Sequence, residues 1–234
     1  MSELLSYNLD QGVATISLHN GKVNAFSPAL IAELNDALDQ ADKDQAVVML
    51  VGKAGIFSAG FDLNVMQAAD NQARADLVMA GMDLSRRLLE FPHPVVAVCT
   101  GHAVAMGLIA LLACDYRIGA EGNFTLGLNE VQIGMALPQT ANELVLARIQ
   151  PSYIHRVALN AELLTPSQAV VAGVLDKAVA ADELLEQAQT EARRLAGLDR
   201  RAFGKTKRNL RRYLLQSLAS VREEDCQTLA TGPL

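Results

Sequence analysis

Glu130 is the residue whose surroundings in the sequence most clearly indicate acid–base chemistry. It lies in the segment Leu126-Gly-Leu-Asn-Glu-Val-Gln-Ile-Gly134, and the uncharged stretch Val95–Leu112 just upstream offers no second carboxylate to work with it. A single carboxylate can take a proton from one atom and return it to another. The pattern therefore favours proton transfer beside a carbonyl group over reactions that need two proton-handling groups at once.

Two glycine-containing segments contain backbone amides that are candidates to stabilise the oxyanion of such a reaction. Both Phe57-Ser-Ala-Gly-Phe-Asp-Leu63 and Thr100-Gly-His-Ala-Val-Ala-Met-Gly-Leu-Ile-Ala110 are predicted to run from a buried strand through a turn into a helix. Amides at a helix start lack internal acceptors and lie at the positive end of the helix dipole. The N–H of Phe61, with that of Met106 or Gly107, could therefore hold one developing oxyanion, where a single donor is typically worth ~3–4 kcal/mol. Each segment alone is equally compatible with an ordinary turn.

Composition excludes several other classes of function. Half of the 234 residues are hydrophobic and the formal net charge is −6, which predicts a sizeable core and argues against a nucleic-acid surface. The glycine spacing fits neither a phosphate-binding loop nor the dinucleotide fingerprint. One basic cluster, Lys205–Arg212, is interpreted as a solvated helix face, with a site for a ligand phosphate as the alternative.

The cysteines and the polar first ten residues suggest a soluble protein of a reducing compartment, and we expect a cytoplasmic location. Cys99, Cys114 and Cys226 are odd in number and lack metal-ligand spacing, so no metal site is predicted. The polar first ten residues do not resemble a signal peptide. Val95–Leu112 contains His102 and two glycines, so we expect it to be core and not a membrane span.

Apolar periodicity predicts an α/β fold with a helical C-terminal part. Ser27 is a plausible N-cap for the first helix, with a proline directly after it. The segment 55–60 is predicted to be a loop, and nearly everything from Ala141 onward is predicted to be helical. The other expected elements are strands over 4–9, 13–18, 46–52, 95–99 and 116–120, a short extended piece over 123–127, and helices over 28–43, 62–66, 73–91 and 107–112.

Three segments, in order, resemble the crotonase (enoyl-CoA hydratase/isomerase) superfamily. They are Phe57-Ser-Ala-Gly-Phe-Asp-Leu63, Gly101–Ile118 and Leu126–Pro138. Lys22-Val-Asn-Ala25 and Thr165-Pro-Ser-Gln-Ala169 extend the similarity, which runs from about residue 7 to residue 180. This resemblance implies a spiral of ββα units over 1–180 that binds and transforms acyl-CoA. It also implies that 181–234 is an all-α region that packs at a trimer interface, giving trimers or dimers of trimers.

The resemblance also assigns roles to individual residues. It implies that the backbone N–H groups of Phe61 and Met106 hold the thioester oxygen, with Met106 standing where relatives usually have glycine. Lys22, Ala25, Ala59, Phe61 and Lys207 are the implied contacts to CoA, which is part of the substrate, and Lys53 lies in a loop that runs beside it. No metal or redox cofactor is implied.

The resemblance to hydratases is incomplete at one catalytic position. Hydratases of this superfamily use two glutamates, and their positions fall on Ile109 and Glu130 here. The segments Cys114-Asp-Tyr-Arg-Ile118 and Gly127-Leu-Asn-Glu130 are similar to Δ3-Δ2-enoyl-CoA isomerases, which also have an apolar residue at the first position. The resemblance therefore implies an isomerase with one proton shuttle. Another crotonase reaction, such as hydration, thioester hydrolysis or decarboxylation, and a non-catalytic acyl-CoA binder remain alternatives.

Other polar residues near these motifs are predicted to be structural. A lone histidine such as His102 beside a turn is more often hydrogen-bonded or packed than a base. Asp62 and Asp115 are interpreted as carboxylates at element ends. Arg117 could pair with either of them, and the sequence does not decide between the two.

Overall fold

The protein folds around two β-sheets that a computed structural model describes for residues 4–67 and 70–231. In sequence order the strands of these ranges are β1 (Leu5–Asp10), β2 (Val13–Leu18), β3 (Val47–Val51), β4 (Gly55–Ser58), β5 (Val95–Cys99), β6 (Gly101–Val104), β7 (Tyr116–Ala120), β8 (Leu126–Gly127) and β9 (Lys177–Val179).

The larger sheet has the order β1-β2-β3-β5-β7-β9. β1 and β2 form an antiparallel pair and every other neighbour is parallel. Both faces of this sheet are covered, as the continuous apolar strand β3 shows: Val48 and Leu50 enter one core cluster, whereas Met49 enters the other.

The helices of the same ranges cover the two sheets. Ser27 caps the first of them, because its side chain accepts a hydrogen bond from the Leu30 N–H. The helices are α1 (Pro28–Lys43), α2 (Leu63–Met66), α3 (Asn71–Glu90), α4 (Met106–Ala113), α5 (Gln139–Arg148), α6 (Pro151–Ala158), α7 (Pro166–Val171), α8 (Leu184–Ala196) and α9 (Arg200–Thr231), with a 3-10 turn at Val131–Ile133.

A repeated strand–strand–helix unit generates the architecture. β3 and β4 precede α2 and α3, β5 and β6 precede α4, and β7 and β8 precede α5. The first strand of each unit joins the six-stranded sheet, and the second joins a parallel three-stranded sheet of order β4-β6-β8. The predicted α/β class and crotonase-like spiral are therefore confirmed.

Three predicted local assignments differ from the structure. The expected loop over 55–60 contains β4, and the expected turn after Thr100 contains β6. β9 interrupts the region that was predicted to be almost wholly helical. These strands are three or four residues of weak pattern that form only by pairing with distant partners, β4 with β6 and β9 with β7.

The C-terminal segment packs closely on the rest of the chain. Leu184, Ala188 and Ala192 of α8 belong to the core cluster on one face of the large sheet, and α9 packs against α3 and α5. The division into 1–180 and 181–234, and the trimer interface assigned to the second part, stay predictions. Across the described ranges, no helix combines the length and the apolar character that a membrane crossing requires.

Candidate active site

Glu130 lies three residues after the end of β8, at the start of the 3-10 turn, and its side chain lines a small apolar cavity of about 30 Å³. The other described residues around this cavity come from the segment before α2, from α3 and α4, from the loop before α5, from α5 itself and from the end of α9. They are Phe61, Val78, Met82, Met106, Ile109, Met135, Ala136, Leu137, Pro138, Ala141 and Leu229. Within this described lining, Glu130 is the one side chain that titrates.

The carboxyl group of Glu130 is poorly solvated. Its Oε2 is buried and has no hydrogen-bond partner among the described residues. Burial raises the pKa of Glu130, and backbone hydrogen bonds at Glu130 and Asn129 offset only part of this effect. A carboxylate whose charged form is disfavoured in this way is a stronger base than an exposed glutamate, which suits it to take a proton from carbon.

Ile109 shares this cavity with Glu130. It lies in α4, all eight residues of which are buried, and is 1% exposed. The position that the resemblance gives to the first hydratase glutamate therefore faces the cavity, and an aliphatic side chain fills it. No side chain of the described lining other than Glu130 could orient a water molecule by accepting its proton.

The two glycine-containing turns lie against each other. A Cβ added at Gly60 would lie 2.9 Å from the Ala105 Cβ and 3.7 Å from the Met106 nitrogen. Gly60 has φ +105°, and Ala105, which precedes α4, has φ +51° and ψ −126°. Such a conformation is costly for a residue with a side chain and is found mainly where function requires it. In the described part of the chain, neither the Phe61 nor the Met106 N–H has a backbone acceptor.

A helical glycine on α3 makes room for the side chains next to these amides. A Cβ at Gly81 would lie 2.5 Å from two ring carbons of Phe61 and 3.1 Å from the Met106 sulfur. The Phe61 ring and the Met106 side chain thus pack together against α3 and narrow the cavity. A glycine inside a helix is the sequence signal that could have indicated this close approach.

The loop expected to contact CoA is held next to the first of these turns. Val23 O accepts the Ala59 N–H at 3.1 Å, and Gly60 O accepts the Phe26 N–H at 2.8 Å. Lys22 and Ala59 are exposed. The structure thus brings Lys22, Ala25, Ala59 and Phe61 onto neighbouring segments, while their contact with CoA stays a prediction. Lys53 Nζ donates to the Gly21 carbonyl of the same loop.

Lys207 does not join this group. It lies on α9, 5% exposed, and its Nζ is 2.7 Å from Asp115 Oδ2. Burial lowers the pKa of Lys207 to about 8, since the attraction of Asp115 only partly offsets the desolvation. The ammonium group is absent from the lining of the Glu130 cavity, and the expected contact with a CoA phosphate stays a prediction. Only the fold reveals this pairing, since the two residues are far apart in the sequence.

The other polar candidates are structural. His102 Nδ1 accepts the Thr125 N–H at 3.0 Å, so it ties β6 to the segment before β8. Asp62 caps α2 through the Asn64 N–H, as predicted. Arg117 pairs with neither predicted aspartate. Its guanidinium binds Asp176, with Nη2 2.8 Å from Oδ1.

Sequence reasoning missed two residues of α9 near the site. Leu229 lines the Glu130 cavity, and Asp225 binds the start of α5 immediately beside it. Both lie in a polar helix whose sequence gives no sign of a contact with residue 130. The strained Ala105 also went unrecognised, because alanine gives no indication of a positive φ.

The family model described as enoyl-CoA hydratase/isomerase matches residues 8–231. The chain belongs to the enoyl-CoA hydratase/isomerase family. The predicted membership of the crotonase superfamily is thereby confirmed.

Individual members of the family that resemble this chain include both reaction types. It is 28% identical over 224 residues to mouse "Enoyl-CoA delta isomerase 1, mitochondrial", covering 94% of this chain and 78% of that one. It is 30% identical over 199 residues to Escherichia coli "2,3-dehydroadipyl-CoA hydratase", covering 84% and 76%. A crystal structure of an enoyl-CoA hydratase/isomerase family protein from Pseudomonas syringae matches with TM-score 0.94 and 46% identity, covering 97% and 98%.

Proposed function

We propose that this member of the family is a Δ3-Δ2-enoyl-CoA isomerase that acts on unsaturated fatty acyl-CoA. The observation that carries the proposal is the Glu130 cavity, where one base with a raised pKa shares the lining with an aliphatic residue, Ile109, at the position that the resemblance gives to the first hydratase carboxylate. Moving a double bond by one carbon requires one group that removes a proton and gives it back. Adding water to a double bond requires an oriented water molecule as well.

In the proposed reaction, the Glu130 carboxylate removes a proton from C2 of the 3-enoyl thioester. The electron pair of that C–H bond forms the C1–C2 double bond of a dienolate, whose negative oxygen accepts hydrogen bonds from the Phe61 and Met106 N–H groups. Glu130, now protonated, donates the proton to C4. The C3–C4 double bond becomes C2–C3, the thioester carbonyl reforms and the carboxylate is regenerated.

The unpaired amides of Phe61 and Met106 support this role because their two turns touch at Gly60 and Ala105. Lys22, Ala25 and Ala59 are proposed contacts to the CoA part of the substrate, since their segments are bonded to the Phe61 turn. No metal or redox cofactor is needed for the proposed steps. The trimeric assembly and the cytoplasmic location stay predictions.

The decisive experiment follows the conjugated 2-enoyl thioester by its ultraviolet absorbance after the purified protein is mixed with 3-enoyl-CoA. We expect turnover by the wild type and a loss of at least about a hundredfold in Glu130→Gln, as is typical of a missing acid–base group. Glu121→Gln is the matched control, because Glu121 is exposed on the loop after β7.

The same preparations separate the competing functions. Mixing them with 2-enoyl-CoA tests hydration, which removes the conjugated absorbance. Hydration that exceeds isomerisation would replace the proposal with a hydratase. Binding of acyl-CoA without turnover of either substrate would indicate a non-catalytic binder.

A further inference from the structure

Two neighbouring cavities share one wall at the end of α9. The Glu130 cavity has about 30 Å³ and an adjoining cavity has about 240 Å³. Both are lined by Ala136, Leu137, Pro138 and Leu229. The larger cavity also touches Glu224, Asp225 and Thr228 on α9. The last turns of α9 and the loop before α5 therefore stand between the base and a larger space.

The space beside Glu130 is small compared with that of the adjoining cavity, about 30 Å³ against about 240 Å³. A chain that extends beyond the reacting carbons would find the larger space only past the residues that the two cavities share. Of the four shared residues, Ala136 and Pro138 have side chains that cannot turn aside, and Leu137 is partly exposed. Leu229 is buried, has rotatable bonds and lies on the border of both cavities.

Asp225 fixes the helix turn that carries Leu229. The two residues are four positions apart and lie on the same face of α9. Asp225 is 3% exposed and accepts the Gln139 N–H at 2.7 Å, the Thr140 N–H at 2.9 Å and the Thr140 hydroxyl at 2.7 Å.

These bonds replace the missing cap of α5. The residue at the N-cap position of α5 is Pro138, whose side chain makes no capping hydrogen bond. A buried carboxylate from α9 instead binds the first free amides of α5, where the helix dipole favours a negative charge. The end of α9 is thus bonded to the residues that directly follow the cavity wall 136–138.

We propose that Leu229 determines the length of the acyl chain that the site accepts, and that Asp225 is the positioning residue that holds it there. With leucine in place, the chain ends at the Glu130 cavity. A smaller residue at this position joins the two cavities, and a larger one closes the first. The inference rests on the proposed function only in taking an acyl-CoA as the ligand.

The test measures binding of saturated butanoyl-CoA and decanoyl-CoA by titration calorimetry, so that no turnover is needed. We compare the wild type with Leu229→Ala and Leu229→Phe. Leu218→Ala is the matched control, because Leu218 is also a buried leucine of α9, 2% exposed, but is absent from the lining of both cavities. We expect Leu229→Ala to shift the ratio of the two dissociation constants about tenfold in favour of decanoyl-CoA, as burial of about two more methylene groups would.

Leu229→Phe should shift the ratio in the opposite direction, and Leu218→Ala should leave it unchanged. If Leu229→Ala does not fold, Leu229→Met and Leu229→Phe provide the comparison. An unchanged ratio in the Leu229 variants, or an equal shift in Leu218→Ala, would overturn the inference.

The outcomes also distinguish this inference from the proposed isomerase. If the Leu229 variants show the predicted shift but the protein does not convert 3-enoyl-CoA, the role of Leu229 is supported and the isomerase proposal is wrong. If the protein isomerises 3-enoyl-CoA but the variants show no shift, the isomerase proposal is supported and the role of Leu229 is wrong. Failure of the wild type to bind either thioester overturns both.

Discussion

Ile109 of α4 and Glu130 after β8 line the same apolar cavity, although they belong to different ββα units. The second and third units bring them together because β6 and β8 are neighbours in the small sheet. The position that the resemblance gives to the first hydratase carboxylate thus lies in the Glu130 cavity and has an aliphatic side chain. Adding a second carboxyl group at position 109 tests whether the number of proton-handling groups determines the reaction.

Ile109→Glu should introduce hydration of 2-enoyl-CoA. The new carboxyl group would face the cavity with Glu130, so a water molecule could be held between two acid–base groups. We expect measurable 3-hydroxyacyl-CoA, detected by chromatography, and a loss of stability of about 1–3 kcal/mol from burying a polar group on an otherwise apolar helix. Ile109→Gln is the control for volume and polarity. Equal hydration by the glutamine variant would contradict an acid–base role at this position.

The activity should rise with pH through a pKa above the usual glutamate value of ~4.3. Glu130 must be ionised to remove the C2 proton, and burial raises its pKa. The rising limb of kcat/KM, which reports groups of the free enzyme, should therefore lie above the range in which exposed glutamates titrate. Glu121→Gln should give the same profile. A rate that already reaches its plateau in the ordinary glutamate range would count against Glu130 as the base.

Glu130→Gln should be more stable than the wild type at neutral pH. Because the native pKa of Glu130 is raised, the native state binds more protons than the unfolded state between the unfolded and native pKa values. The contribution of Glu130 to stability is therefore lost as pH rises through this window. Glutamine removes this cost, with an expected gain of roughly 0.5–2 kcal/mol. Urea unfolding at neutral and acid pH measures it, and the gain should shrink in acid. A variant less stable at both pH values would contradict the prediction.

Gly60→Ala should reduce kcat far more than the same substitution at a remote glycine does. The two variants should lose similar amounts of stability. Its φ is +105°, and the added Cβ would meet the Ala105 Cβ at 2.9 Å, which would move the Phe61 amide. Loss of one oxyanion donor typically costs about 100–1,000-fold in kcat. Gly12→Ala, at φ +76° in the turn between β1 and β2, carries similar backbone strain away from the site. Equal losses of activity in the two variants would contradict an oxyanion role for this turn.

Asp225→Asn should destabilise the protein by about 1–3 kcal/mol and lower kcat. The asparagine amide cannot accept hydrogen bonds at both positions, so Gln139 or Thr140 would lose a partner. Asp83→Asn is the control, because Asp83 forms the exposed α3–α9 ion pair with Arg222, a kind of contact that contributes little. Melting curves and turnover of 3-enoyl-CoA measure both effects. Parallel behaviour of the two variants would show that Asp225 has no particular influence on the site.

The sequence predicted the elements that have a strong local pattern. The alternating strand β2, the continuous apolar strands β3 and β5, and α1 with its Ser27 cap need no distant partner to be recognised. Motif order also made Glu130, Phe61 and Met106 the candidate site residues, and the structure places all three around one cavity. Composition and resemblance together were sufficient for the fold class and the family.

Tertiary structure alone decided which of these residues meet and how the site is closed. The short strands β4, β6 and β8 become stable only when they pair with one another, and this pairing brings Gly60 against Ala105 and Ile109 to Glu130. The ion pair between Lys207 and Asp115 likewise forms only through contacts between distant segments, which bury Lys207 and lower its pKa. The sequence alone therefore indicated Glu130 as the candidate base, whereas its apolar surroundings and its raised pKa arise from the packing of α3, α4 and α9 around it.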